Sequence, residues 1–231
     1  MREYNSEEYK KKMIQVYGVS VVKDFEKFKH RTNSSFPETY DDFKERMEHY
    51  VSRIGCIDEG IKEIKSKKKV SNYYTNKGFA RFILISIEKY YGYTKINLAN
   101  EKILEEGKYK KVVYKWETEH IIPQKDENNY NPDYVRCLGN LTLISAELNG
   151  SEKYKIASYK KKRKIIRDSR WREHKFYINK VFKNQWNFNE TLIDLRYKWL
   201  KKRFINIFYK DKSRKIFTLD KFEKIIGIRK S

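Results

Sequence analysis

Apolar positions along most of the chain recur at helical spacing. Tyr40, Phe43, Met47, Tyr50, Val51 and Ile54 follow the three-and-four rhythm of one buried face, which predicts a helix beginning after "SSFPET" and running to about residue 66. Phe79, Phe82, Ile83, Ser86, Ile87 and Tyr90 fall at offsets 0, 3, 4, 7, 8 and 11 and read as a core-packing face rather than a binding groove. Leu192, Ile193 or Leu195, Tyr197, Leu200, Phe204 and Ile207 make another stripe, with Asn189 in the N-cap position. A shorter helix is expected over 6–17, capped by Ser6 and stopped by Gly18. With only 9 glycines and 3 prolines to punctuate it, the chain favours helices with short connections. "KSKKK" (65–69) reads as a solvated basic turn.

The rhythm changes at Tyr109. "KVVYKWETEHII" is β-branched and aromatic without helical spacing, which predicts a strand ended by Pro123. A polar loop follows, "QKDENNYNPDY". "LGNLTLIS" (138–145) reads as a second short strand opened by Gly139, and residues 146–166 as a helix broken near Gly150. The expected fold class is therefore α+β, mainly α with a small central ββα module. The expected division is a helical region over 1–108, the ββα core over 109–166, and a helical region over 167–231 that packs on the core.

Composition narrows the partners. Aromatic residues at 16% argue against disorder despite a charged fraction of 36%. A formal net charge of +22 opposes compaction by self-repulsion, so it points to a polyanionic partner, with nucleic acid ahead of an anionic membrane. No run approaches the roughly 18 apolar residues of a membrane span, and the N-terminus lacks a secretion signal. Cys56 and Cys137 lie far apart with no C-x-x-C pair, which excludes four-cysteine zinc and reads as a reduced, cytoplasmic protein.

Nucleic acid as substrate frames the central module. Phosphodiester hydrolysis needs a base for the attacking water, stabilisation of charge at the phosphate, and help for the leaving oxygen. A neutral histidine titrates in the right range for the first task. A divalent cation on oxygen ligands serves the others. The module offers His120 and Glu119 at the end of the first strand, Asn140 opening the second, and Asn149 nine residues later. Adjacent strand residues point to opposite faces, so Glu119 and His120 need a twist at the strand end to serve one site, and Glu117, which shares Glu119's face, is the fallback. His30, His49 and His174 sit among charged residues without partner motifs and read as surface histidines. The basic run 153–164 follows Asn149. Lys153, Lys155, Lys160, Lys161, Lys162 and Arg163 are candidates for contacts to the phosphate backbone, which would give affinity without sequence choice.

"TEHIIPQ", "LGNLTLIS" and the later "LN", in this order and spacing, resemble the HNH nuclease superfamily. The closer likeness is to the HNH domain at the C-terminal end of GmrSD-type, modification-dependent restriction endonucleases, clear over about 109–166 and weaker in "YYTNKGFARFILISIEKYYG" and "QWNFNETLIDLRYKWL". The resemblance implies a ββα-metal fold and a metal-dependent endonuclease acting on nucleic acid, double-stranded DNA favoured, in restriction or anti-phage defence. By matched position it implies His120 as general base, Asn140 as a brace that orients it, and Glu119 and Asn149 as ligands of one Mg²⁺ or Mn²⁺ ion. A sensor or NTPase partner protein is compatible with the family, since no motif for one is seen in this chain. An RNase with the same site, and a non-catalytic nucleic-acid-binding protein that kept the fold, remain as alternatives.

Overall fold

The computed structural model describes residues 4–28, 35–65, 77–92, 101–106, 109–114, 116–124, 129–168, 175–211, 213 and 215–229. His30, His174 and all of the basic turn beyond Lys65 lie outside the described residues.

The N-terminal part is three helices: α1 (Ser6–Tyr17), α2 (Val19–Lys27) and α3 (Tyr40–Lys65). The α1 cap is Asn5, whose side chain accepts from the Glu8 amide, while the Ser6 hydroxyl donates to the Pro37 carbonyl 2.6 Å away. Gly18 stops α1 as expected, at φ 91, where a side chain would be strained. It lets the chain turn at once into α2, an element the apolar spacing did not reveal. Helix α4 (Lys77–Tyr91) is the centre of the protein. It is buried all round from Phe79 to Glu88, and Tyr90, expected on its core face, is exposed.

The expected single strand from Tyr109 is divided. Strand β1 (Glu101–Glu106), which the sequence pattern did not suggest, pairs antiparallel with β2 (Tyr109–Tyr114). Strand β3 (Trp116–His120) pairs antiparallel with β4 (Leu141–Ser145) in a separate two-stranded sheet. Between them lie the short α5 (Pro132–Val135) and a 3-10 turn, Leu138–Asn140, where the strand was expected to begin. After β4 the expected helix is three pieces: α6 (Ala146–Gly150), α7 (Glu152–Lys155) and α8 (Tyr159–Arg167). The chain closes with α9 (Val181–Asn184), the long α10 (Glu190–Phe208) and α11 (Asp220–Ile225). Asn189 caps α10, accepting from the Leu192 amide at 3.0 Å, and Ile193 rather than the exposed Leu195 faces the core. The fold is thus mainly α with two small antiparallel sheets, of which β3–β4 belongs to the ββα module.

Buried side chains from all three parts of the chain join one hydrophobic cluster. Its centre is aromatic: Phe82 of α4 lies against Tyr17, Tyr50, Phe204, Phe208 and Phe222. Burying tyrosines requires partners for their hydroxyls. Tyr17 meets Ser86 at 3.0 Å, Tyr50 donates to Asp24 at 2.6 Å, and Tyr9 to Glu223 at 2.9 Å.

Two buried arginines tie this scaffold to the ββα module. Arg81 of α4 donates to the carbonyls of Tyr17 and of Trp116, the first residue of β3. Arg196 of α10 donates to the carbonyls of Gly139, Leu141 and Ile178 at 2.8, 2.6 and 3.1 Å. Helix α10 approaches the 3-10 turn so closely that a Cβ on Gly139 would stand 2.1 Å from the Ile193 carbonyl oxygen, so only glycine fits there.

Candidate functional site

The β3–β4 register sets His120 opposite Leu141 and Glu119 opposite Thr142. Glu117 and Glu119 lie on one face of β3, while Trp116, Thr118 and His120 lie on the other. Trp116 anchors that second face by an edge contact with Phe176, ring centroids 4.6 Å apart. His120 ends the strand with 8% of its surface exposed.

Asn140 is fully buried, and its amide clamps the segment directly after His120. Oδ1 accepts from the Ile122 amide at 2.8 Å, while Nδ2 donates to the carbonyls of Ile122 and Val135 at 3.1 and 2.7 Å. The Asn140 carbonyl accepts from the Ile121 amide at 2.8 Å. A primary amide has two donors and one acceptor group, and here each has a partner. The backbone that leaves His120 is therefore held on both sides.

Asn149 lies near the end of α6, whose N-cap Ser145 is the last residue of β4, so helix and strand are joined without a loop. Its Nδ2 donates to Glu117 Oε2 at 2.5 Å. Glu119, the neighbour of His120, has a different partner: Lys162 Nζ at 2.6 Å. The structure therefore brings Asn149 to Glu117, the fallback carboxylate of the sequence reading, while Glu119 is held by α8.

Lys162 was expected to meet phosphates, and its position corrects that expectation. It is fully buried, donates also to the His120 carbonyl oxygen at 2.9 Å, and lies 4.8 Å from the Tyr154 ring centroid. A buried ammonium needs such partners to be tolerated. Its location follows from helical phase: Tyr159, Lys162, Arg163 and Ile166 are the buried face of α8. Arg163 is likewise turned inward, donating to the Lys183 carbonyl at 3.3 Å. Lys153, Lys155, Lys160 and Lys161 are exposed. Lys153 and Lys161 line a cleft of about 660 Å³ that reaches Leu148, the neighbour of Asn149.

Among the described residues no three His, Cys, Asp or Glu side chains gather as a metal cluster. A hard cation such as Mg²⁺ does not need one. It is bound by one or two carboxylates with water and phosphate oxygens completing its shell. Two carboxylates and an amide oxygen near the end of β3 have the right donor chemistry, with no thiolate among them. Cys137 is buried beneath the 3-10 turn, where burial pushes its thiol up to about 12 and keeps it from acting as a nucleophile. His49 is exposed and lies 3.7 Å from Glu45, away from this site.

Residues 58–203, more than half of the chain, match the family described as GmrSD restriction endonucleases, C-terminal domain. Comparison with curated proteins and with solved structures gives no match.

Proposed function

The chain belongs to the family of GmrSD restriction endonuclease C-terminal domains, and on that footing we propose that it is a metal-dependent endonuclease hydrolysing phosphodiester bonds, with double-stranded DNA as substrate. The observation that supports this most is the 2.5 Å contact of Asn149 with Glu117, which joins the helix of the ββα module to the strand that ends in His120. Amide and carboxylate oxygens at that junction are hard donors.

In this reading Glu119 and Asn149, with Glu117 beside them, hold one Mg²⁺ or Mn²⁺ ion. The ion, when bound, supplies Lewis-acid stabilisation of the charge that grows on the scissile phosphate and the leaving oxygen. His120 takes the proton of the attacking water, the task of a general base. Asn140 acts as a positioning residue: its side-chain amide holds the Ile122 backbone and its carbonyl the Ile121 amide, and so the direction from which the imidazole approaches. Lys162 fixes the Glu119 carboxylate and the His120 carbonyl from the helix side. The exposed Lys153, Lys155, Lys160 and Lys161 attract the phosphate backbone without reading sequence. The net charge of +22 supports the same class of partner. Among the described residues no helix is long and apolar enough to cross a membrane.

Supercoiled plasmid and total RNA, each incubated with Mg²⁺ or Mn²⁺ and in parallel with EDTA, test the proposal. Metal-dependent nicking and linearisation of the plasmid, with RNA intact, is the expected result. Digestion of RNA alone would move the substrate to RNA. No cleavage of either, or cleavage that survives EDTA, would overturn the reading.

A further inference from the structure

Trp186 is 74% exposed, more than any other large hydrophobic side chain among the described residues. Indole rings are normally well buried, so a ring this open needs a reason. The loop that carries it is not loose. The Gln185 carbonyl accepts from the Tyr159 hydroxyl at 2.8 Å, Phe188 is buried with its ring stacked on Tyr159 at 5.4 Å, and Asn189 caps α10. Trp186 therefore projects from a segment pinned on both sides. The Arg163 guanidinium lies over the indole, 4.1 Å from its centroid, and is itself anchored through the Lys183 carbonyl.

The ring borders a cleft of about 830 Å³ whose walls also include Lys160, Arg163, Lys164 and Arg167, with Asp168 the one acid on it among the described residues. Lys164 also lines the second cleft, the one that reaches Leu148 beside Asn149. Helix α8 is thus a basic ridge between two clefts. Its inner face carries Lys162, bonded to Glu119, one residue from the Arg163 that supports the indole.

An exposed, rigidly held aromatic ring in a cationic cleft matches one ligand chemistry well. Cations neutralise a phosphate backbone, and an indole stacks on the face of any nucleobase that is not already stacked in a duplex. The guanidinium holds one face of the ring by a cation–π contact and leaves the other face for a base. We propose that the Trp186–Arg163 cleft is a stacking site for an unpaired nucleobase, so that the protein engages nucleic acid that is single-stranded or locally opened beside the cleavage site. This inference rests on the nuclease reading for the identity of its polyanion, but not for its test.

Short fluorescein-labelled oligonucleotides of one sequence, as single strand and as intact duplex, are titrated with the protein in EDTA, so that no cutting intervenes. Trp186→Ala is expected to weaken single-strand binding about tenfold, within the range for loss of one base–aromatic stack, and to leave duplex binding unchanged. Trp186→Phe should restore most of the loss. An equal loss on both substrates, or none on either, would overturn the proposal, as would a Trp186→Phe protein no better than Trp186→Ala. The exposed position lets each variant fold, which a melting curve matching wild type verifies. Metal-dependent plasmid cleavage, run separately on wild type, keeps the two readings apart: cleavage with no Trp186 effect sinks the stacking site alone, and a Trp186 effect without cleavage sinks the nuclease reading alone.

Discussion

Asn140 illustrates how much one residue of this site carries and how little of that its sequence neighbourhood conveys. "LGNLTL" reads as a turn opening a strand, and its likeness to a nuclease motif implies a bracing role without saying what is braced. The structure supplies the partners: one amide N–H and two carbonyls, reached across 5 and 18 residues of chain. Replacing Asn140 with alanine strands these groups in a buried site, at about 1–3 kcal/mol for each unsatisfied group. Asn140→Ala is therefore expected to lower unfolding free energy by about 3 kcal/mol, read as a lower urea midpoint at constant slope. A variant within error of wild type would show that the clamp contributes no stability. The choice between Glu117 and Glu119 was not legible for a related reason. Alternation puts both on one face, and only the tertiary partners separate them, Asn149 for the first and Lys162 for the second.

Among the elements, α8 shows where charge misleads a sequence reading. Its run of basic residues suggests phosphate contacts along its whole length. Yet the apolar positions Tyr159 and Ile166 already fix the buried phase, and Lys162 and Arg163 stand within it. Periodicity identified the long helices well, because α3, α4 and α10 each carry a sustained apolar stripe. It failed for α2 and β1, which are short; after β4 the glycine marked the break at Gly150, but nothing marked the second break, between Lys155 and Tyr159. Lys162→Met tests the strut between α8 and β3. Breaking a buried ion pair by removing one partner costs about 3–5 kcal/mol, and Glu119 keeps some contact with water, so the expected loss is near 3 kcal/mol. Thermal melting reads the loss. Lys160→Met, one position on the exposed side of the same helix, should stay within about 0.5 kcal/mol of wild type. Equal effects of the two would show that Lys162 is not a structural cation.

At the scale of the molecule, one aromatic core, centred on α4 and α10, reaches the module through Arg81 at the start of β3 and Arg196 at the start of β4. The surrounding surface is strongly basic, as a net charge of +22 requires. The fold class and the order of the motif residues were legible because helical rhythm and motif spacing are local properties of the chain. The basic cleft around Trp186 was not, because it joins α8 to a loop from a different part of the sequence. The proposed hydrolysis turns on His120 as its base, so the most direct measurement is a single-turnover comparison of wild type with His120→Ala on plasmid DNA in saturating Mg²⁺, with DNA affinity and melting temperature measured on the same preparations. A rate lower by about 10²–10⁴, the contribution of a general base, with binding and folding retained, is the predicted result. Cutting at an undiminished rate by the folded His120→Ala protein would contradict the account.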